Sequence, residues 1–235
     1  EYASHAADYG VKTTYVKPDF ETMVTRSRGV ADTMSKGIQF LFKKNGVNVI
    51  NGFGKLKDNH TVSVTATDGS TSDYTASHII LATGARSREL PNLKQDGVKV
   101  IGYRQALSLK RQPASMVVVG SGAIGSEFAY FYNAIGTKIT LVEFLPNIVP
   151  VEDEEVSRAL ERAFKKSGIT VKTEATVESV DTSGELCRVS IQTKKGVEVV
   201  EAEVVLSAVG ITPNIEGIGL EELGIAVEKG RVKVD

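Results

Sequence analysis

The chain has 235 residues, enough for one large or two modest domains, and its 41% hydrophobic and 24% charged content is an ordinary globular balance. A net charge of −1 and a pI near 6.4 give no electrostatic footprint for nucleic acid or an anionic membrane surface. A single cysteine, Cys187, excludes an internal disulfide, no Cys/His cluster suggests zinc or another metal, and no apolar run approaches the roughly 20 residues of a membrane span.

In chain order, the first predicted element is a helix from about Phe20 to Lys44, with Phe20, Met23, Val24, Val30, Met34, Ile38, Leu41 and Phe42 on one stripe facing a core. A strand, an alternating run TVSVTAT (61–67), a turn at Asp68-Gly69 and a further strand IILATG (79–84) follow. Residues 85 to 100, with Pro91 and several polar side chains, read as a linker. Met116 to Val119 form a short β-branched run, as a buried parallel strand requires. Gly120, Gly122 and Gly125 come next, and then Phe128, Phe131, Tyr132 and Ile135 recur at helical spacing until Gly136. KITLV (138–142) is the next strand and delivers Glu143. A second helix starts at Asp153, a natural N-cap, with Val156, Leu160, Ala163 and Phe164 predicted toward the core and Gly168 as its stop. RVSIQT (188–193), a Lys195-Gly196 turn and VVLSAVG (204–210) complete the pattern.

The chain repeats itself. FKKNGVNV (42–49) matches FKKSGITV (164–171), IILATG matches VVLSAVG, and both copies continue with a Pro-Asn pair, Pro91-Asn92 and Pro213-Asn214. Each copy reads helix, strand, β-meander, strand. The second copy owns a glycine clasp and the first does not, so residues 1–99 are expected to be the back half of one dinucleotide domain. Residues 100–214 are expected to be a complete second one, and 215–235 a return segment. The fold class is α/β: a Rossmann-like domain of parallel sheet plus β-meander crossover, with a partial second dinucleotide domain. A chain that opens on Glu1 rather than Met is expected to be a piece of something longer.

A bare GxGxxG is weak evidence, but here strand, glycines, helix, strand and acid come in order. Gly120 permits the tight turn, Gly122 lets the backbone approach a pyrophosphate, and Gly125 lets helix and strand pack closely. The phosphates then face the positive end of the helix and its free N–H groups. Glu143, eighteen residues after Gly125, stands where a carboxylate accepts ribose hydroxyls. A 2′-phosphate there meets a negative charge, and no Arg or Lys occurs from 144 to 151 to receive it, so NAD is expected rather than NADP. Blander readings stand beside the ligand ones. Val177 reads equally as core, Glu127 as a helix-face charge, Gly54 as a strand bulge and Cys187 as a buried small hydrophobe.

SKGIQFLFKKNGVNVINGFGKL (35–56), HIILATGARSRELP (78–91), VVVGSGAIGSEFA (117–129), LVEFLPNIVPVED (141–153) and SAVGITPN (207–214) together resemble the two-dinucleotide flavin disulfide oxidoreductases, and within them the dihydrolipoyl dehydrogenase branch. The resemblance covers essentially the whole chain. It implies that Gly120, Ser121, Gly122, Ala123, Ile124 and Gly125 line the NAD pyrophosphate. It also implies that Glu127 pairs with a lysine near the flavin, Glu143 binds the adenosine ribose, Val177 lies against adenine and Gly210 contacts the nicotinamide end. Gly54 near the FAD adenine, and Thr83 and Gly84 against the flavin cofactor, follow in the same way. The implied activity is oxidation of dihydrolipoamide with NAD as final acceptor, through FAD and a cysteine pair, in a homodimer. The implied compartment is reducing: cytoplasm, or the mitochondrial matrix in a eukaryote. No nucleic-acid or membrane partner is expected.

The chain departs from that pattern in lacking the redox cysteine pair, the C-terminal His–Glu dyad, the FAD clasp and the dimer-forming domain, and in carrying Ile211 where an Arg is frequent. No catalytic residue is therefore assigned within it, and by itself it is expected to be inert and to hold FAD poorly. A related flavin disulfide reductase with another substrate and a non-catalytic NAD-binding module are the alternatives.

Overall fold

The computed structural model describes residues 3, 5–13 and 16–234. In chain order the elements are helix α1 (Phe20–Lys44), strands β1 (Phe53–Asp58), β2 (Thr61–Thr65), β3 (Thr71–Thr75), β4 (Ala85–Ser87) and β5 (Val100–Ile101), and helix α2 (Tyr103–Ala106). Then come β6 (Ser115–Val119), α3 (Ala123–Ala134), β7 (Lys138–Val142), α4 (Glu154–Lys166), β8 (Thr170–Lys172), β9 (Thr176–Asp181), β10 (Cys187–Thr193) and β11 (Gly196–Ala202). The last strands are β12 (Val204–Ser207), β13 (Ile211–Pro213), β14 (Val227–Glu228) and β15 (Arg231–Val232). The chain divides into two compact units, Glu1–Val30 with Ser87–Gly210, and Ala31–Arg86 with Ile211–Asp235.

The first unit is organised by a five-stranded parallel sheet in the order β5-β12-β6-β7-β8. Its strands are apolar on both faces because both faces are covered. Met116, Val118, Ile139, Leu141 and Leu206 pack with Tyr132 of α3, Phe164 of α4 and Phe20. Val117, Val119, Val142 and Val205 point the other way and pack with Val177, Cys187, Val189 and Ile191 of the antiparallel meander β9-β10-β11. The sheet thus lies between a helical layer and a second, smaller sheet. Tyr132 is fully buried. Its hydroxyl donates to the Ala106 carbonyl at 2.6 Å, and burial pushes its pKa up to about 12.

Local signals placed these elements well. β7 spans the predicted Lys138 to Val142, Gly136 ends α3 with φ +101°, and Gly168 follows α4 with φ +93°. Asp153 caps α4, its Oδ1 accepting the Glu155 N–H at 2.8 Å. The inward stripe of α4 is corrected: Val156 is 54% exposed and Ala163 is exposed, while Ser157, Leu160 and Phe164 turn inward. At about 100° per residue, Val156 and Ala163 fall on one side of Leu160 and Ser157 and Phe164 on the other, and it is the second side that is covered.

Cys187 is buried in β10, as a small hydrophobe would be, and burial raises its thiol pKa. The thiolate is the reactive form. In the native protein Cys187 is expected to label with a maleimide roughly 100-fold more slowly than after denaturation. Peptide mapping by mass spectrometry checks this, and rapid native labelling would contradict the burial.

The second unit carries the other meander, β1-β2-β3, whose core joins Leu56 to Ile218 and Leu220 with Val62, Ile79 and Ile215 around them. Both copies of the repeat therefore build a three-stranded antiparallel meander. The flanking strands expected in the first copy are not formed: residues 47–50 and 79–83 belong to no strand, and Ile80 is 89% exposed. The α1 stripe is likewise corrected. Phe20 is buried, but Met34, Ile38 and Leu41 are more than half exposed. The apolar pattern is present, but among the described residues no layer covers it and no neighbouring strand offers these segments its N–H and C=O groups.

In the same unit Arg86 clasps Glu216 with both guanidinium ends, at 2.7 and 3.1 Å. That hydrogen-bonded cation holds the Glu216 carboxyl down to about 2 from an ordinary 4.5. The sign follows: the native carboxyl is harder to protonate than the unfolded one. The stabilisation is therefore complete above pH 4.5 and lost as pH falls through about 2. Both side chains are exposed, so the effect on stability is small. Carboxyl-carbon NMR should give a Glu216 midpoint near 2, returning toward 4.5 in Arg86→Ala. An unchanged midpoint in that variant would remove the guanidinium as the cause.

Candidate functional site

In open α/β sheets, ligands gather outside the carboxyl ends of the strands. In the first unit β6, β7 and β12 end there on Val119, Val142 and Ser207, and a cavity of about 500 Å³ opens beyond them. Its floor is Gly120, Ser121 and Gly122, with Glu143, Phe144 and Leu145 after β7 and Ala208, Val209 and Gly210 after β12. Ala175, Thr176 and Val177, where the meander begins, form one wall, and Arg88, Leu90, Asn92 and Leu93 another.

The glycines do separate jobs. Gly120 adopts φ +96°, and a Cβ there would stand 2.4 Å from the Ala208 carbonyl oxygen. At Gly125 a Cβ would stand 1.9 Å from the Gly120 oxygen and 3.2 Å from the Ala208 Cβ, so this glycine sets the closeness of α3 to the sheet. Gly122 differs: nothing lies within 4 Å of its would-be Cβ, which would project into open space at the start of α3.

The start of α3 is bare. Gly122 offers no side-chain cap, and the first turn holds no acidic residue. By contrast α4 is capped by Asp153 and carries Glu154 and Glu155. The first N–H groups of a helix have no intrahelical acceptor, so those of Ala123, Ile124 and Gly125, together with the helix dipole, are left for an anion. The residues fit the diphosphate of a dinucleotide: open space at Gly122, free donors behind it and no carboxylate in the turn.

Glu143 is 7% exposed and held by three donors. Its Oε2 accepts the Ser121 N–H at 2.8 Å and the Ser121 hydroxyl at 2.6 Å, and its Oε1 accepts the Leu145 N–H at 2.9 Å. Among the described residues lining the cavity, Glu143 carries the one negative charge and Arg88 the one positive charge. Val177 is 4% exposed and both packs in the core and lines the cavity.

The structure therefore gathers Gly120, Ser121, Gly122, Glu143, Val177 and Gly210 around one space, with Ala123, Ile124 and Gly125 forming the helical turn that backs it. Glu127 lies elsewhere, on a cavity of about 290 Å³ with Phe20, Met23, Val24, Phe128 and Phe131. The other expected cofactor residues belong to the second unit. Gly54 pairs with Val64 in β1, and the Thr83 and Gly84 carbonyls accept Asn214 N–H groups, side-chain and backbone respectively. The bulge in β1 falls between Leu56 and Asp58 rather than at Gly54. Sequence reasoning missed Arg88 and Asn92, whose residues lie in the linker. It also missed Leu145 and Val209, which a rule of reading two or three residues past each strand end would have found.

Comparison with known proteins gives the family. The family model described as pyridine nucleotide-disulphide oxidoreductase matches residues 1–235. A dihydrolipoyl dehydrogenase of Chlorobaculum parvum is 42% identical over 236 residues, covering 100% of this chain and 50% of its own length. One from Mycobacterium tuberculosis is 39% identical over 210 residues, covering 89% of this chain and 45% of its own. Among solved structures, LpdA from Mycobacterium tuberculosis superimposes with a TM-score of 0.84 at 33% identity, over 92% of this chain and 48% of that one. The HOCl-induced flavoprotein disulfide reductase RclA from Escherichia coli, as its Cu(II) complex, gives 0.81 at 25% identity, over 92% and 49%. The chain thus spans about half the length of the curated relatives it matches. With clasp, buried acid and meander in their places, this chain belongs to the pyridine nucleotide-disulphide oxidoreductase family.

Proposed function

We propose that this chain supplies the NAD site, and part of the FAD site, of a flavin-dependent dihydrolipoyl dehydrogenase. The observation that carries the reading is the pairing of a bare helix start with a buried, fixed carboxylate at the strand ends. Residues 100–214 act as the NAD domain, 1–99 as the back of the FAD domain and 215–235 as a return segment.

Gly120 to Gly125 line the diphosphate, which the N–H groups of Ala123, Ile124 and Gly125 and the helix dipole bind. Glu143 accepts a ribose hydroxyl and repels a 2′-phosphate, which selects NAD over NADP. Val177 gives the adenine an apolar wall, and Gly210 lies at the nicotinamide end. Glu127 pairs with a lysine near the flavin. Gly54, Thr83 and Gly84 serve the FAD. NAD supplies the acceptor for the electron pair; the chain's own contribution is to hold it, oriented, in a cavity with few competing polar groups. The dithiol substrate is dihydrolipoamide and the parent is a homodimer, working in the cytoplasm or mitochondrial matrix. The dihydrolipoyl dehydrogenase name shared by the relatives supports that choice. No helix among the described residues is long and apolar enough to cross a membrane.

Calorimetry on the full-length protein tests the site: NADH is expected to bind at least tenfold more tightly than NADPH. Turnover with dihydrolipoamide, glutathione and mercuric ion tests the substrate. A preference for NADPH overturns the reading of Glu143, and turnover with another substrate but not dihydrolipoamide overturns the branch assignment.

A further inference from the structure

We propose that Ser121 is a positioning residue for Glu143, and that through it the protein sets how strongly the unphosphorylated nucleotide is preferred. The inference rests on the cavity being the NAD site. Ser121 is fully buried, and both its N–H and its hydroxyl donate to the same carboxylate oxygen, Oε2, while the Leu145 N–H holds Oε1. A carboxylate offers about four lone-pair sites. Three are filled, and the open one is on Oε1.

Ser121 can impose this because it is itself fixed. Its carbonyl accepts the Ser126 hydroxyl at 2.9 Å and the Val149 N–H at 3.0 Å. The terminal torsion of a glutamate is soft, with a broad range of angles. Without the Ser121 hydroxyl, one donor fewer locks Oε2, the carboxyl plane turns more freely, and its charge no longer sits at one fixed place opposite a 2′-phosphate. Ser121 then acts on specificity without needing to touch the nucleotide.

A double-mutant cycle on the full-length protein tests this, with NADH and NADPH affinities measured by calorimetry for Ser121→Ala, Glu143→Ala and the double variant. Ser121→Ala should weaken NADH about 5- to 10-fold and narrow the NADH-over-NADPH preference, and it should add nothing further in the Glu143→Ala background. Thr137→Val, which removes a buried hydroxyl of the same unit that donates to the Pro113 carbonyl and bonds to neither Ser121 nor Glu143, should leave the preference unmoved and so calibrates general loosening. The proposal is overturned if Ser121→Ala changes nothing, if its effect persists with Glu143 absent, or if Thr137→Val shifts the preference equally. Should Glu143→Ala bind NADH as tightly as the wild type, the NAD reading itself falls, and this inference with it.

Discussion

Gly125→Ala is expected to melt roughly 4–8 °C below the wild type, whereas Gly122→Ala keeps its melting temperature within about 2 °C and loses roughly 100-fold or more in NADH affinity. The two substitutions add the same methyl group three positions apart, but they meet different surroundings. At Gly125 the methyl collides with a backbone oxygen 1.9 Å away, and neither helix nor strand can rotate it aside. Overpacking of that kind costs typically 1–3 kcal/mol and occasionally more, which the helix propensity gained by alanine, about 1 kcal/mol, offsets only in part. At Gly122 the backbone has φ −62° and ψ −175°, which alanine adopts freely, and nothing stands within 4 Å. The methyl there fills the approach of the diphosphate instead. Melting curves and calorimetry on the two variants separate the effects. A Gly125→Ala protein that melts normally, or a Gly122→Ala protein that binds NADH normally, would show that these glycines do not have the roles their surroundings suggest.

Glu143→Ala should weaken NADH roughly 10- to 100-fold, each factor of ten being about 1.4 kcal/mol, while NADPH is affected far less. The loss has two parts. An acceptor for the ribose hydroxyl disappears, and the Ser121 and Leu145 donors are left facing an empty space. A buried donor without a partner costs about 1–3 kcal/mol, but these border a cavity that water can enter, so the melting temperature should fall by only a few degrees. Glu143→Gln provides an intermediate. Its carbonyl oxygen can satisfy Ser121, but its amide then presents N–H groups to the Leu145 N–H. NADH titrations and melting curves of both variants check this, and equal loss of NADH and NADPH affinity would argue against charge as the basis of selection.

What was legible in the sequence was what local chemistry fixes. The β-branched run at Met116–Val119, the glycine spacing after it and Asp153 before α4 each stabilise an element through near neighbours, and each appears where expected. Glu143 was found by spacing because the distance from the clasp to the end of the next strand is set by one helix and one strand. Burial was less legible, because an apolar stripe shows which side seeks cover and not whether cover exists. Met34 and Ile38 sit on such a stripe and remain exposed, and Ile80 is in an apolar run that finds no ladder. Val156 and Ser157 show the finer limit. Leu160 and Phe164 turn inward as the stripe requires, but a rotation of the helix by a fraction of a residue exposes Val156 and buries Ser157, and only packing of α4 on the sheet decides it. Arg88 and Asn92 reach the cavity through tertiary folding of a segment that carries no periodic signal.

Because α3 starts at Ala123 on a glycine cap, with no side chain closing its first turn, that turn forgoes about a few tenths of a kcal/mol of local stabilisation that a Ser, Thr or Asp would give. The amide protons of residues 123–125 should therefore exchange with deuterium quickly in the nucleotide-free protein, through small local openings rather than global unfolding. Saturation with nucleotide then slows them by a factor that grows with its concentration, while the opposite end of the same helix, where Gly136 already closes the chain, stays as it was.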